Sequence, residues 1–210
     1  MLVTELVPAR EMDSRRLMVV LHGLGDSMDG YRWMPPELDL PWLNYLLVNA
    51  PDEYYGGYSW YDLEGEPESG IERSRKLLFE LLDGLPARGF DVAQTVLFGF
   101  SQGCLMTLEV GARYPHRFAG LVGVSGYVHN ADALLRELSP VAKAQHFLIT
   151  HGTEDPLLPI SQVRPQIARL RLAGLHIDWR EFTKPHTIAG ATELGLIRRF
   201  VAGCFAPAAG

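Results

Sequence analysis

Five residues, Gly99-Phe100-Ser101-Gln102-Gly103, constrain the fold of this chain more than any other stretch. They lie between an apolar run at 95–98 and a helix-like run at 104–113. A serine on a sharp turn between a strand and a helix is the setting in which G-x-S-x-G becomes a nucleophile elbow. The glycines meet a steric need. The serine backbone is strained so that its hydroxyl projects, and bulky residues two positions either side would collide. Chance alone produces the pattern in roughly one chain in ten of this composition, so the reading depends on how the rest of the chain arranges around it.

That arrangement alternates. Residues 2–7 and 17–22 read as strands, the second almost wholly apolar and therefore central. It ends in the glycine-dense turn His22-Gly23-Leu24-Gly25-Asp26. A short helix and loop are expected over 31–40, and another buried strand over 44–49. Residues 52–70 form the longest irregular stretch, rich in aromatic residues and glycine, and long loops in compact domains tend to be functional or mobile. Apolar positions at 71, 77, 78, 81 and 82 with charges between them predict an amphipathic helix. Behind the elbow, strands are expected at 118–124, 147–150 and 175–182. Helices are expected at 132–138, N-capped by Asn130, and at 161–172 and 191–201. Strands alternating with helices imply a mostly parallel central sheet with helices on both faces, over one domain spanning 1–210 without a large cap. Ligand sites in such sheets lie at the carboxyl ends of the strands, where the glycine, serine, aspartate and histidine residues of this sequence gather.

Composition narrows the partners. With 210 residues, a formal charge of −6 and no basic run, neither nucleic acid nor an anionic membrane is an expected partner. No apolar run reaches the ~20 residues of a membrane span. Cys104 and Cys204 make neither a disulfide framework nor a metal cluster. No H-E-x-x-H or C-x-x-C occurs, so no metal and no cofactor are expected. Without a recognisable signal peptide, the expected compartment is the cytoplasm.

A serine hydroxyl needs a base to remove its proton, and the base must itself be oriented. In the strand-elbow-helix scaffold the partners follow in the order serine, acid, histidine. Only His176 and His186 lie beyond the Glu154-Asp155 pair. His176 falls within an alternating strand, whereas His186 sits in the loop after it, so His186 is the expected base. Asp155, restrained by Pro156 to extended geometry, is the expected acid, with Glu154 and Asp178 as competitors. The developing oxyanion needs two donors. The N–H of Gln102, at a helix N-terminus, is one, and the Leu24 N–H in the 22–26 turn is the other. His22 and His151 are read as hydrogen-bonding turn residues, and Cys104 as a small hydrophobe beneath the elbow. Substrate contacts are expected from Gly23, Tyr58 and Trp60, the last two in the 52–70 loop.

With these residues placed, the chain resembles the carboxylesterase, lysophospholipase and acyl-protein thioesterase family of small α/β-hydrolases. The matching pieces are Leu21-His22-Gly23-Leu24-Gly25-Asp26, Asn49-Ala50-Pro51, Trp60-Tyr61-Asp62, Glu68-Ser69-Gly70-Ile71, Gly99-Phe100-Ser101-Gln102-Gly103, Ser125-Gly126 and His151-Gly152-Thr153-Glu154-Asp155-Pro156-Leu157-Leu158-Pro159. The resemblance implies a Ser101–Asp155–His186 triad, an oxyanion hole from Leu24 and Gln102, and ester or thioester substrates without a cofactor. Where the family usually has glycine before the histidine, this chain has Lys184-Pro185, and its 49–60 segment is short. The expected activity is therefore that of a carboxylesterase. The alternatives are an acyl-protein thioesterase or lysophospholipase and, outside enzymes, a catalytically dead binding protein of the same fold.

Overall fold

A computed structural model describes residues 1–206. Its elements, in chain order, are β1 (Thr4–Val7), β2 (Arg16–Leu21), α1 (Met34–Leu38), β3 (Leu43–Val48), β4 (Asp52–Tyr54) and β5 (Gly57–Ser59). Then follow α2 (Pro67–Asp83), β6 (Thr95–Phe100), α3 (Gln102–Arg113), β7 (Gly120–Val124) and α4 (Ala131–Arg136). The chain closes with β8 (His146–Gly152), α5 (Ile160–Leu172), β9 (His176–Phe182) and α6 (Gly190–Cys204). Seven strands make one sheet in the order β1-β3-β2-β6-β7-β8-β9. Only the edge strand β1 runs antiparallel to its neighbour.

The near-continuous apolar runs of the central strands follow from burial on both faces. Leu17, Val19 and Leu21 of β2 point into a core shared with α2, α3, α4 and α5. Met18 and Val20 point the other way, into a core shared with α1 and α6. None of the described helices is long and apolar enough to cross a membrane.

Two expectations change in the 52–70 segment. Its first half is a hairpin, β4 paired with β5, turned through Tyr55 and Gly56 at φ 44° and 86°. Positive φ at both central residues is the geometry of the tight hairpin turn, but three-residue strands are too short to show alternation in sequence. The second half begins α2 at Pro67, ahead of its first apolar residue. That first turn is polar, with proline in the first helical position and Glu68 beside the positive end of the helix dipole. Elsewhere β7 starts at Gly120 rather than 118, because the Phe118 N–H is taken by the Gln145 side chain. Strand β8 runs on to Gly152, which pairs with Phe182 in β9. Asn130 caps α4 as expected, accepting from the Ala133 N–H.

Candidate active site

The carboxyl ends of β2, β6, β8 and β9 converge on one cleft. Ser101, between β6 and α3, has φ 54° and ψ −114°, a strained backbone that thrusts its side chain out of the turn. Glycine is required on both sides of it. A Cβ on Gly99 would lie 2.0 Å from the Gly103 carbonyl oxygen, and one on Gly103 would lie 2.3 Å from that of Leu21.

Ser101, His186 and Asp155 form one hydrogen-bonded chain. His186 Nε2 lies 2.9 Å from Ser101 Oγ, and Nδ1 lies 2.7 Å from Asp155 Oδ2. The other carboxylate oxygen accepts from the N–H groups of Leu157 (3.0 Å) and Leu158 (2.9 Å). Burial pushes the Asp155 carboxyl upward. The Leu158 and Leu157 N–H groups and the hydrogen bond and charge of His186 outweigh it, so the group sits below the ordinary aspartate range. The competitors fall elsewhere. Glu154 is exposed, while His176 and Asp178 lie toward the amino end of β9.

His22 is buried, and burial holds its imidazole below the usual histidine value despite the Gly23 carbonyl and Asp26, which act in the opposite direction. The neutral ring's Nδ1–H donates to the Gly23 carbonyl (2.6 Å), and Nε2 accepts from the Ala50 N–H (3.0 Å). This fixes the turn that presents Leu24. The Leu24 N–H has no backbone acceptor among the described residues. The Gln102 N–H, in the first turn of α3, has none within its helix.

The cleft is about 600 Å³ and mostly apolar. Gly23 lies on its wall, beside Leu24, Leu63, Phe100, Tyr127 and Leu157. Trp60 does not. It is wholly buried, donating its indole N–H to the His22 carbonyl and its backbone N–H to Gln102 Oε1. Tyr58 likewise acts through its backbone, which exchanges two hydrogen bonds with the 22–26 turn (Gly25 N–H to Tyr58 O and Tyr58 N–H to Asp26 O, 2.9 Å each). The two aromatics expected to touch substrate thus brace the Leu24 turn and the elbow. Tyr61, one residue on, reaches the cleft and pairs its hydroxyl with that of Tyr127 at 2.9 Å. The Trp60-Tyr61-Asp62 piece of the family resemblance was the available signal for Tyr61. Tyr127 had none.

The 183–189 loop is anchored by a buried ion pair absent from the sequence reading. Lys184 Nζ lies 2.6 and 2.7 Å from the two carboxylate oxygens of Glu193 in α6. Burial lowers the lysine below its ordinary value, although Glu193 pulls it back toward the charged form. The Lys184 carbonyl accepts from the Glu154 N–H (3.2 Å) and rests where a Cβ on Gly152 would stand, 2.3 Å away. One residue therefore ties the His186 loop to both α6 and the Asp155 loop.

A parallel sheet, an elbow serine and a histidine–aspartate pair on the following strands define an α/β-hydrolase fold. A profile of the phospholipase/carboxylesterase family matches residues 4–204, and the chain belongs to that family as a hydrolase of the esterase type. It is 37% identical to acyl-protein thioesterase 1 of Schizosaccharomyces pombe over 155 residues, covering 68% of this chain and 69% of that protein. Acyl-protein thioesterase 1 of Yarrowia lipolytica is 26% identical over 195 residues, covering 84% and 86%. Among solved structures, esterase PE8 superposes with a TM-score of 0.86 at 27% identity, over 97% of this chain and 99% of the other.

Proposed function

We propose that this enzyme cleaves carboxylic esters through an acyl-enzyme, with Ser101 as nucleophile, His186 as general base and acid, and Asp155 orienting the imidazole. The observation that carries the reading is the unbroken chain from Asp155 Oδ2 through His186 to Ser101 Oγ. Ser101 Oγ attacks the acyl carbonyl carbon as its proton passes to His186 Nε2. The imidazolium then protonates the departing alkoxide, leaving Ser101 acylated. In the second half His186 takes a proton from water, the hydroxide adds to the acyl carbon, and the proton returns to Ser101 as the acid leaves. The N–H groups of Leu24 and Gln102 hold the oxyanion in both halves, supported by their lack of internal acceptors. Gly23 lets the acyl carbonyl approach this turn.

The apolar walls support an acyl chain as the bound moiety, and exposed Leu63 and Leu157 extend that surface to the rim. Thioester cleavage is the second reading, favoured by the relatives named acyl-protein thioesterase. The complete set of acid, base and nucleophile argues against a dead binding protein. The charge of −6 and two unpaired cysteines support a cytoplasmic enzyme without a nucleic-acid partner. Fluorophosphonate labelling together with p-nitrophenyl ester turnover tests the triad. Ser101→Ala should lose both, on the order of 10⁶ in kcat, while keeping the wild-type melting temperature. A variant that turns over esters at the wild-type rate refutes it. The ratio of kcat/KM for matched esters and thioesters separates the two substrate readings.

A further inference from the structure

At the opposite ends of β8 and β9 from the cleft lies a second cluster of histidine and aspartate. His146 and His176 are direct partners across the two strands, and Asp178 follows two residues along β9 on the same face. The two imidazoles stack with centroids 4.0 Å apart and planes 6° from parallel. His146 Nε2 lies 3.1 Å from Asp178 Oδ2, and one donor atom from each of the three residues lies within 4.8 Å of the other two. The edge of the His146 ring is set by Phe200 of α6, 4.8 Å away. None of these groups takes part in the chemistry proposed for Ser101.

We propose that His146, His176 and Asp178 form a binding site for a borderline divalent transition metal, with zinc as the representative ion. Two imidazoles and one carboxylate are the donor set such ions prefer, whereas magnesium and calcium take oxygen ligands. The sheet register already holds the three backbones together, so little chain ordering remains when the ion arrives. Bonds of 2.0–2.2 Å in a tetrahedral shell set ligand atoms about 3.3–3.5 Å apart, and the His146–Asp178 separation is close to that now. Parallel rings cannot both aim at one ion, so His176 swings out of the stack. It is exposed and free to do so. With three protein donors the remaining coordination position faces solvent. The ion clips edge strand β9 to β8, the two strands that carry His186 and Asp155 at their far ends. Its effect is stabilisation of the folded chain by mass action, with no part in the hydrolytic reaction.

The test uses the full chain without a histidine tag, stripped with chelator and titrated calorimetrically with zinc chloride. Wild type should bind one zinc ion saturably and melt at a higher temperature in its presence, and magnesium chloride should give no saturable heat. His176→Ala and Asp178→Asn should each weaken zinc binding by at least about tenfold, the size typical even of an outer partner of a metal ligand. Both variants should stay folded by circular dichroism and keep wild-type turnover of p-nitrophenyl esters. Absence of saturable zinc binding to wild type overturns the proposal. So does zinc affinity unchanged in the two variants, which places the ion at other side chains.

Discussion

The same two strands carry a histidine–aspartate pair at each end, and the two pairs differ in everything but chemistry. Beyond the carboxyl ends, His186 and Asp155 meet at 2.7 Å, with the carboxylate side chain wholly buried and its second oxygen held by two backbone N–H groups. Near the amino ends, His146 and Asp178 meet at 3.1 Å with side chains 34% and 43% exposed. Water competes for every polar atom of the exposed pair, so that contact adds little energy and leaves the groups free to meet other ligands. The pair beside Ser101 keeps water from its carboxylate. Its carboxylate is fixed on three donors, and it in turn fixes one tautomer of the imidazole beside Ser101. Residue type is the same in the two carboxylates; burial and the surrounding backbone make them different.

Replacing carboxylates by amides breaks the comparison most severely. Asp155→Asn keeps the shape but favours the wrong tautomer of His186, and kcat should fall by on the order of 10⁴. Asp178→Asn should leave turnover at the wild-type level, and Glu154→Gln should stay within about tenfold. Ester kinetics on the three purified variants decide this, and a dead Glu154→Gln beside an active Asp155→Asn would move the acid by one residue.

The next effect concerns the anchor that the exposed pair lacks. Lys184→Met leaves Glu193 buried without its counter-ion, which should cost about 3–5 kcal/mol of stability. Changing both residues together, Lys184→Met with Glu193→Leu, should recover most of it, because an apolar pair removes the stranded charge. Urea unfolding of the single and double variants reads the difference; equal loss in both would mean that the ion pair is not what holds the loop.

Trp60→Ala opens a cavity beneath the Leu24 turn and should cost a similar 3–5 kcal/mol. Its signature is a lower melting temperature with acyl-chain preference unchanged. A shift in chain-length preference at normal stability would return Trp60 to the cleft wall.

The smallest effect is in pH. Because the Asp155 carboxyl lies below its ordinary range, its contribution to stability is complete above about pH 4 and declines as pH falls further toward the lowered value. The stability gap between wild type and Asp155→Asn should therefore narrow below about pH 4 in acid-unfolding experiments. A gap that narrows already between pH 7 and 5 would contradict a lowered carboxyl.

Sequence by itself determined the alternation of strands and helices, the elbow, and the identities of the three residues now found in one hydrogen-bonded chain. These are local signals. Apolar runs report strands buried on two faces, glycine spacing reports a backbone that must pass close to its neighbours, and the order serine, acid, histidine follows from the scaffold. Tertiary structure decided what depends on distant partners. Trp60 and Tyr61 are adjacent aromatics in one short motif and both are fully buried, yet the first is held as a brace by its bonds to His22 and Gln102 while the second lines the cleft with its hydroxyl on that of Tyr127. Lys184 and Glu193, nine residues apart, give no local sign of pairing, and only the Gly152 contact and α6 enclose them. His146 and His176 are thirty residues apart in a chain whose sequence showed no metal motif, and only the pairing of β8 with β9 stacks them. A side chain's role is set by what excludes water from it, and that is a property of elements brought together by the fold rather than of the residues on either side.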